Sequence, residues 1–201
     1  MSLFRRIFGL KDNNEEHIRN EERGKYMPEI KLPIDERFTI NFKANGGKFL
    51  YCENMQEIND SLDQILDENK WHDKNVYLID ERLKSLFKKF SFNCTKKASE
   101  GTYFLSTCEY LISDDGSLLI SSNQIAEKKL KDLPANFIIY ATTSQLVENI
   151  GEGLRGIKGK NRDKIPTNIT TIKHFKTVEE KDFLTYGSSS KNLYLLLLED
   201  L

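Results

Sequence analysis

The chain has 201 residues, enough for one domain with a real core and too few for a second full domain. Hydrophobic residues make up 38%, charged residues 30%, and the formal net charge is -1, so no overall field draws the protein toward nucleic acid or an anionic membrane. Three cysteines, Cys52, Cys94 and Cys108, form no CxxC pair and leave one odd thiol. This argues against a disulfide framework and against an iron–sulfur or zinc site built from this chain alone, and reads as buried, reduced thiols of a cytosolic protein.

Residues 1–33 read as an N-terminal arm: a short apolar head (Leu3, Phe4, Ile7, Phe8), a charged stretch, then Pro28 and Pro33. The start is basic but has no apolar run long enough for a signal peptide, and no segment reaches the length of a membrane span. Residues 34–201 read as one α/β domain. Ile34, Phe38 and Phe42 recur every fourth residue, which lines one helical face, and Asn45-Gly46-Gly47 ends that helix. A strand at 48–52 follows. Asn54 with Glu57 three residues on is a capping signature, and Ile58, Leu62, Ile65 and Leu66 keep helical spacing behind it. Next come a strand at 75–79 and a helix capped by Asp80, with Leu83, Leu86, Phe87 and Phe90 as its inner face. Strict alternation of this kind predicts a mostly parallel central sheet, layered between flanking helices.

Farther along, two apolar runs flank Ser113-Asp114-Asp115-Gly116-Ser117 and predict strands joined by a tight turn. Residues 136–141 read as a buried strand. Thr142 with Gln145 makes a second capping box, predicting a helix whose face is Leu146, Val147, Ile150 and Leu154, followed by a basic loop at 155–164. Strands are predicted at 118–121, 169–172 and 193–198.

Three polar loops carry candidate chemistry. Asp114 and Asp115, beside Gly116 and Ser117, can act as paired acid/base groups or hold a hydroxylated ligand; a plain hairpin turn favours the same residues. Thr142, Thr143 and Ser144 stand where a strand feeds a helix, a place that offers N–H groups to an anion, although capping alone explains the choice. Gly187, Ser188, Ser189 and Lys191 can cradle phosphate or carboxylate, or form a solvated connection. They lack P-loop spacing, so no nucleotide cofactor is expected. Gathered beyond the strand ends, these loops would form one pocket for a small anionic metabolite, with Thr143, Ser144, Ser188, Ser189 and Lys191 on the anion and the two aspartates on a hydroxyl. His17, His72 and His174 have no ligand spacing, so no metal is assigned. Trp71 reads as a packing anchor, and Cys108 has no histidine nearby to activate it.

The order of these elements resembles the lactate-utilisation (LUD, LutC/YkgG-like) domain family. Ile112-Ser113-Asp114-Asp115-Gly116-Ser117-Leu118 is similar to the family's Ala-Glu/Asp-Thr-Gly-Thr/Ser turn, with Asp115 where Thr is common. Residues 42–51 with Gly46-Gly47, Leu133-Pro134 before Ile138-Ile139-Tyr140, and Tyr186-Gly187 before the run at 193–198 are similar to other family segments. The likeness covers residues 34–201. It departs at Ile169-Thr170-Thr171-Ile172-Lys173-His174-Phe175, where the family's Gly-Pro-Ser-type string has no counterpart. The resemblance implies a layered sheet similar to the sugar-phosphate isomerase/CoA-transferase (NagB/RpiA-like) fold. It also implies a cytoplasmic role in oxidising lactate to pyruvate beside separate iron–sulfur subunits. The alternative is an enzyme or binding protein of that fold acting on a phosphorylated or carboxylated metabolite.

Overall fold

The computed structural model describes residues 32–175 and 191–200; the arm up to residue 31 and Gly187, Ser188 and Ser189 lie outside the described residues. Helix α1 (Ile34–Ala44) carries Asp35 and Glu36 in its first turn, where they favour the helix dipole, and buries Phe38 and Phe42. Gly46, at φ 88°, turns the chain into β1 (Lys48–Cys52). Helix α2 (Met55–Asn69) is capped by the Asn54 side chain, which accepts from the Glu57 N–H at 3.0 Å, and buries Ile58, Leu62, Ile65 and Leu66. Then come β2 (Asn75–Tyr77), the short α3 (Arg82–Leu86), β3 (Asn93–Thr95) and β4 (Tyr103–Thr107). The hairpin β5 (Tyr110–Ile112) and β6 (Ser117–Ile120), α4 (Ser122–Ile125) and β7 (Asn136–Thr142) follow. The chain continues through β8 (Leu146–Val147), α5 (Ile150–Lys160), β9 (Thr170–Ile172) and β10 (Asn192–Leu198).

The main sheet has six strands in the order β1-β10-β7-β4-β2-β3, and every pairing is parallel. Its central strands β7 and β10 are apolar on both faces, as a sheet covered on both sides requires. Along β7 and β10, Ile138, Tyr194 and Leu196 face one way, into a core shared with α2 and α3. Phe137, Ile139, Leu193, Leu195 and Leu197 face the other way, into a core with α1 and a second sheet. That second sheet has the order β8-β5-β6-β9, with β5 antiparallel to β6 and β6 to β9. Helix α5 closes its outer side, burying Ile157 against Tyr110, Ile112 and Leu119.

The layered α/β architecture and the parallel central sheet match the sequence-based expectation, and several details do not. The strands expected at 118–121 and 169–172 belong to the second sheet, where hairpin pairing through the turn at Gly116 draws them away from the parallel strands. The capping box at Thr142 and Gln145 closes only a short 3-10 turn; Leu146 and Val147 pair with β5, and the helix starts at Ile150 under a separate cap from Asn149. Most of the basic stretch is therefore helical, with Ile150 48% and Leu154 41% exposed rather than forming the inner face. Cys94 is exposed on the edge strand β3, while Cys52 and Cys108 are buried.

Candidate functional site

The carboxyl ends of β2, β4 and β7 open on one cavity of about 730 Å³. In an open parallel sheet this is where ligands bind, because loops leave the strands there in different directions. Asp80 and Arg82 enter it after β2, and Cys108 and Glu109 after β4. Tyr140 of β7, Gln145 after it, Asn123 of α4 and Lys160 at the end of α5 complete its polar wall.

Glu109 is held through one of its two carboxylate oxygens. Its Oε1 accepts from the Ser121 hydroxyl at 2.6 Å and from Asn123 Nδ2 at 2.9 Å. Its Oε2 has no hydrogen-bond donor among the described residues. Gln145 braces the backbone beneath it: the amide oxygen accepts from the Thr142 N–H at 2.8 Å, and Nε2 donates to the carbonyls of Cys108 at 2.6 Å and Glu109 at 3.2 Å. The capping pair legible in the sequence thus ties the end of β7 to the end of β4.

Two cations line the same cavity. Arg82 holds Asp80 through contacts of 2.7–3.1 Å, and its hydrogen bond keeps the Asp80 carboxyl below the usual range despite partial burial. Lys160 Nζ stands 4.6 Å from the centroid of the Tyr110 ring. Burial, with the Asp200 charge behind it, pushes the Tyr140 phenol up, so it remains a neutral O–H donor. Burial and then Glu109 push the Cys108 thiol far up, against a smaller pull from Lys160, which leaves it a poor nucleophile. A carboxylate with one open oxygen, an ammonium, a guanidinium and neutral donors can hold a ligand that carries both an anionic group and a hydroxyl.

The sequence-predicted site residues that are described do not line this cavity. Asp114, Asp115, Gly116 and Ser117 form the β5–β6 turn on the far side of the small sheet, clamped by α1. Asn41 Nδ2 donates to the carbonyls of Ser113 at 2.9 Å and Asp114 at 3.1 Å, and Asn45 Nδ2 to that of Asp115 at 2.7 Å. Arg37 lies 3.5 Å from the Asp114 carboxylate. Asp115 Oδ1 accepts from the Ser117 N–H at 3.1 Å and hydroxyl at 2.6 Å, and Lys173 sits 3.6 Å from Oδ2. Thr143 and Ser144 do form an anion nest, but its occupant is the chain's own Asp200. Lys191 is buried at the opposite end of the sheet, where Nζ donates to the carbonyls of Leu133 and Pro134, both at 3.0 Å. At about 3.3 Å per strand residue, the length of β10 puts it roughly 20 Å from Thr143 and Ser144.

Glu109, Arg82 and Lys160 carried no sequence signal, because only the order of the strands brings them together. The one hint was the Thr142/Gln145 box, whose glutamine reaches back to Glu109. Among the described residues no group of three His, Cys, Asp or Glu side chains is placed to hold a metal ion, and no helix is long and apolar enough to cross a membrane.

The comparisons with known proteins agree with this architecture. No curated protein matches the chain. The crystal structure of a DUF162 family protein from Deinococcus radiodurans superposes with a TM-score of 0.59 at 13% identity, covering 85% of this chain and 100% of that one, and so shares the fold. The LUD domain family model matches residues 36–198, from α1 through the last residue of β10. The chain therefore belongs to the LUD domain family, a family related to lactate utilisation.

Proposed function

We propose that this protein is a LutC-like accessory component of a lactate-utilisation system, working in the cytoplasm beside separate iron–sulfur subunits that carry out the oxidation of L-lactate to pyruvate. Its own contribution is to bind a small hydroxylated or carboxylated metabolite at the carboxyl ends of β2, β4 and β7. The observation that carries this reading is the open Glu109 oxygen in a cavity that Arg82 and Lys160 also line. A 2-hydroxy acid matches that pattern, with its carboxylate on a cation and its hydroxyl on Glu109. Recovery of the tagged chain from native cells grown on lactate tests the partnership. Iron–sulfur proteins should accompany it in stoichiometric amount, and recovery of the chain alone would contradict the accessory role.

A second reading draws on the size of the cavity. At about 730 Å³ it exceeds what a three-carbon acid fills and lies within the roughly 300–1,000 Å³ range typical of small-molecule sites. This favours an enzyme or binding protein of the NagB/RpiA-like fold acting on a larger phosphorylated or carboxylated metabolite. Turnover or binding of a sugar phosphate in preference to lactate would select it.

A further inference from the structure

A second concavity, of about 620 Å³, lies along β9, the last strand of the small sheet. One wall is the consecutive run Thr170, Thr171, Ile172, Lys173 and His174. Consecutive residues line a groove only when it follows the edge of a strand; over a face, every second side chain would point away. The opposite wall is the segment containing Lys128, Lys129 and Lys131.

Among the described residues no strand pairs with the outer edge of β9, and that edge has a definite register. In β6 the Leu119 carbonyl turns toward β5, accepting from the Glu109 N–H at 2.8 Å. Backbone groups alternate sides along a strand, so Leu118 and Ile120 direct theirs toward their β9 partners Ile172 and Thr170. The N–H and C=O of Thr171 then point away from β6, into the groove. Charge adds a second, independent observation. Among the described residues the lining contains four lysines, Lys128, Lys129, Lys131 and Lys173, and no carboxylate, in a chain whose net charge is -1. Lys173 is paired with Asp115 at 3.6 Å, which leaves Lys128, Lys129 and Lys131 to carry the groove's charge, and Glu127 accepts from the Thr167 hydroxyl at 2.7 Å. Among the described residues no carboxylate forms an ion pair with Lys128, Lys129 or Lys131.

We infer that this groove docks an extended acidic segment of a partner protein, added as a further strand along β9. Backbone hydrogen bonds to Thr171 supply the pairing, the lysines select acidic side chains, and Ile125, Leu130 and Ile172 give alternate side chains an apolar floor. This goes beyond the proposed metabolite site and does not depend on it.

The test uses the full chain and a fluorescein-labelled peptide of alternating glutamate and valine, followed by anisotropy. The peptide should bind, weaken as salt is raised, and weaken about tenfold when alternate amides are N-methylated. The double variant Lys129→Glu/Lys131→Glu, at two exposed positions, should lose binding by about tenfold or more with an unchanged melting temperature. Absence of binding would overturn the inference. So would affinity indifferent to N-methylation, which means attraction by charge alone. Displacement of the peptide by low concentrations of inorganic pyrophosphate would also overturn it, marking the groove as a small-anion site.

Discussion

The Asp200 carboxylate is bound twice by Ser144, accepting from its backbone N–H at 2.8 Å and from its hydroxyl at 2.7 Å, while Thr143 donates a third hydrogen bond at 2.9 Å. A nest that would serve a ligand anion is filled by the segment following β10. This latches the end of β10 to the end of β7, beside the carboxyl-end cavity.

That latch makes stability depend on pH. Burial raises the Asp200 pKa, but hydrogen bonds from Ser144, Thr143 and Thr142 outweigh it and hold the carboxyl below its usual range. A lowered folded pKa means the stabilisation is fully present above the unfolded value of about 3.9 and is lost as pH falls through the lower folded value. Asp200→Asn should cost about 0.5–1.5 kcal/mol at neutral pH, toward the low end because the residue is exposed. The difference from wild type should shrink below about pH 4. Urea melts at pH 7 and pH 3 check this; a difference that grows toward acid contradicts it.

Lys191 should behave as a structural residue. Lys191→Ala leaves the buried carbonyls of Leu133 and Pro134 without their donor and removes a buried side chain. The expected loss is about 2–4 kcal/mol, or a melting temperature lower by roughly 5–15 °C. Ligand affinity measured below the melting range should match that of wild type. Weakened affinity with unchanged melting would return Lys191 to the binding site.

Gly116 should tolerate no side chain. It stands at φ +67°, and a Cβ there would press on the backbone of Asn41 and Phe42 in α1. Gly116→Ala therefore combines left-handed strain of about 1–2 kcal/mol with displacement of a packed helix, for a total of roughly 3 kcal/mol or more. Calorimetric melting measures it; a loss below about 1 kcal/mol would mean α1 is not held against this turn.

Gln145 should position Glu109. Gln145→Ala removes the donors to the Cys108 and Glu109 carbonyls and half of the Thr142 capping box. We expect a loss of about 1–3 kcal/mol in stability and weaker ligand binding, while Gln145→Glu, which keeps the acceptor but not the donor, should rescue the cap alone. Equal affinities in all three proteins would deny the positioning role.

Legibility in the sequence followed burial. The run at β10 is apolar on both faces, and Ile58, Leu62, Ile65 and Leu66 sit on one helical face, so these elements announce themselves through periodicity. β3 and β8 are too short for a period, and β4 carries Ser106 and Thr107 at its carboxyl end, which weakens its apolar signature. The candidate site was illegible for a different reason. Glu109 acquires meaning only because the strand order sets β4 between β7 and β2 and because Ser121 and Asn123 fold back onto its carboxylate. Asp114 and Asp115 had the conspicuous composition, yet α1 and the turn itself absorb their polar groups.

The most direct test of the proposed site is calorimetric titration of wild type and Glu109→Gln with L-lactate, pyruvate and a sugar phosphate. If the open oxygen of Glu109 receives a ligand hydroxyl, at least one of these binds wild type, and Glu109→Gln weakens it about 10- to 100-fold while melting at nearly the same temperature. Equal affinity in the two proteins, or no binding of any of these ligands to wild type, would contradict the assignment of this cavity as the site.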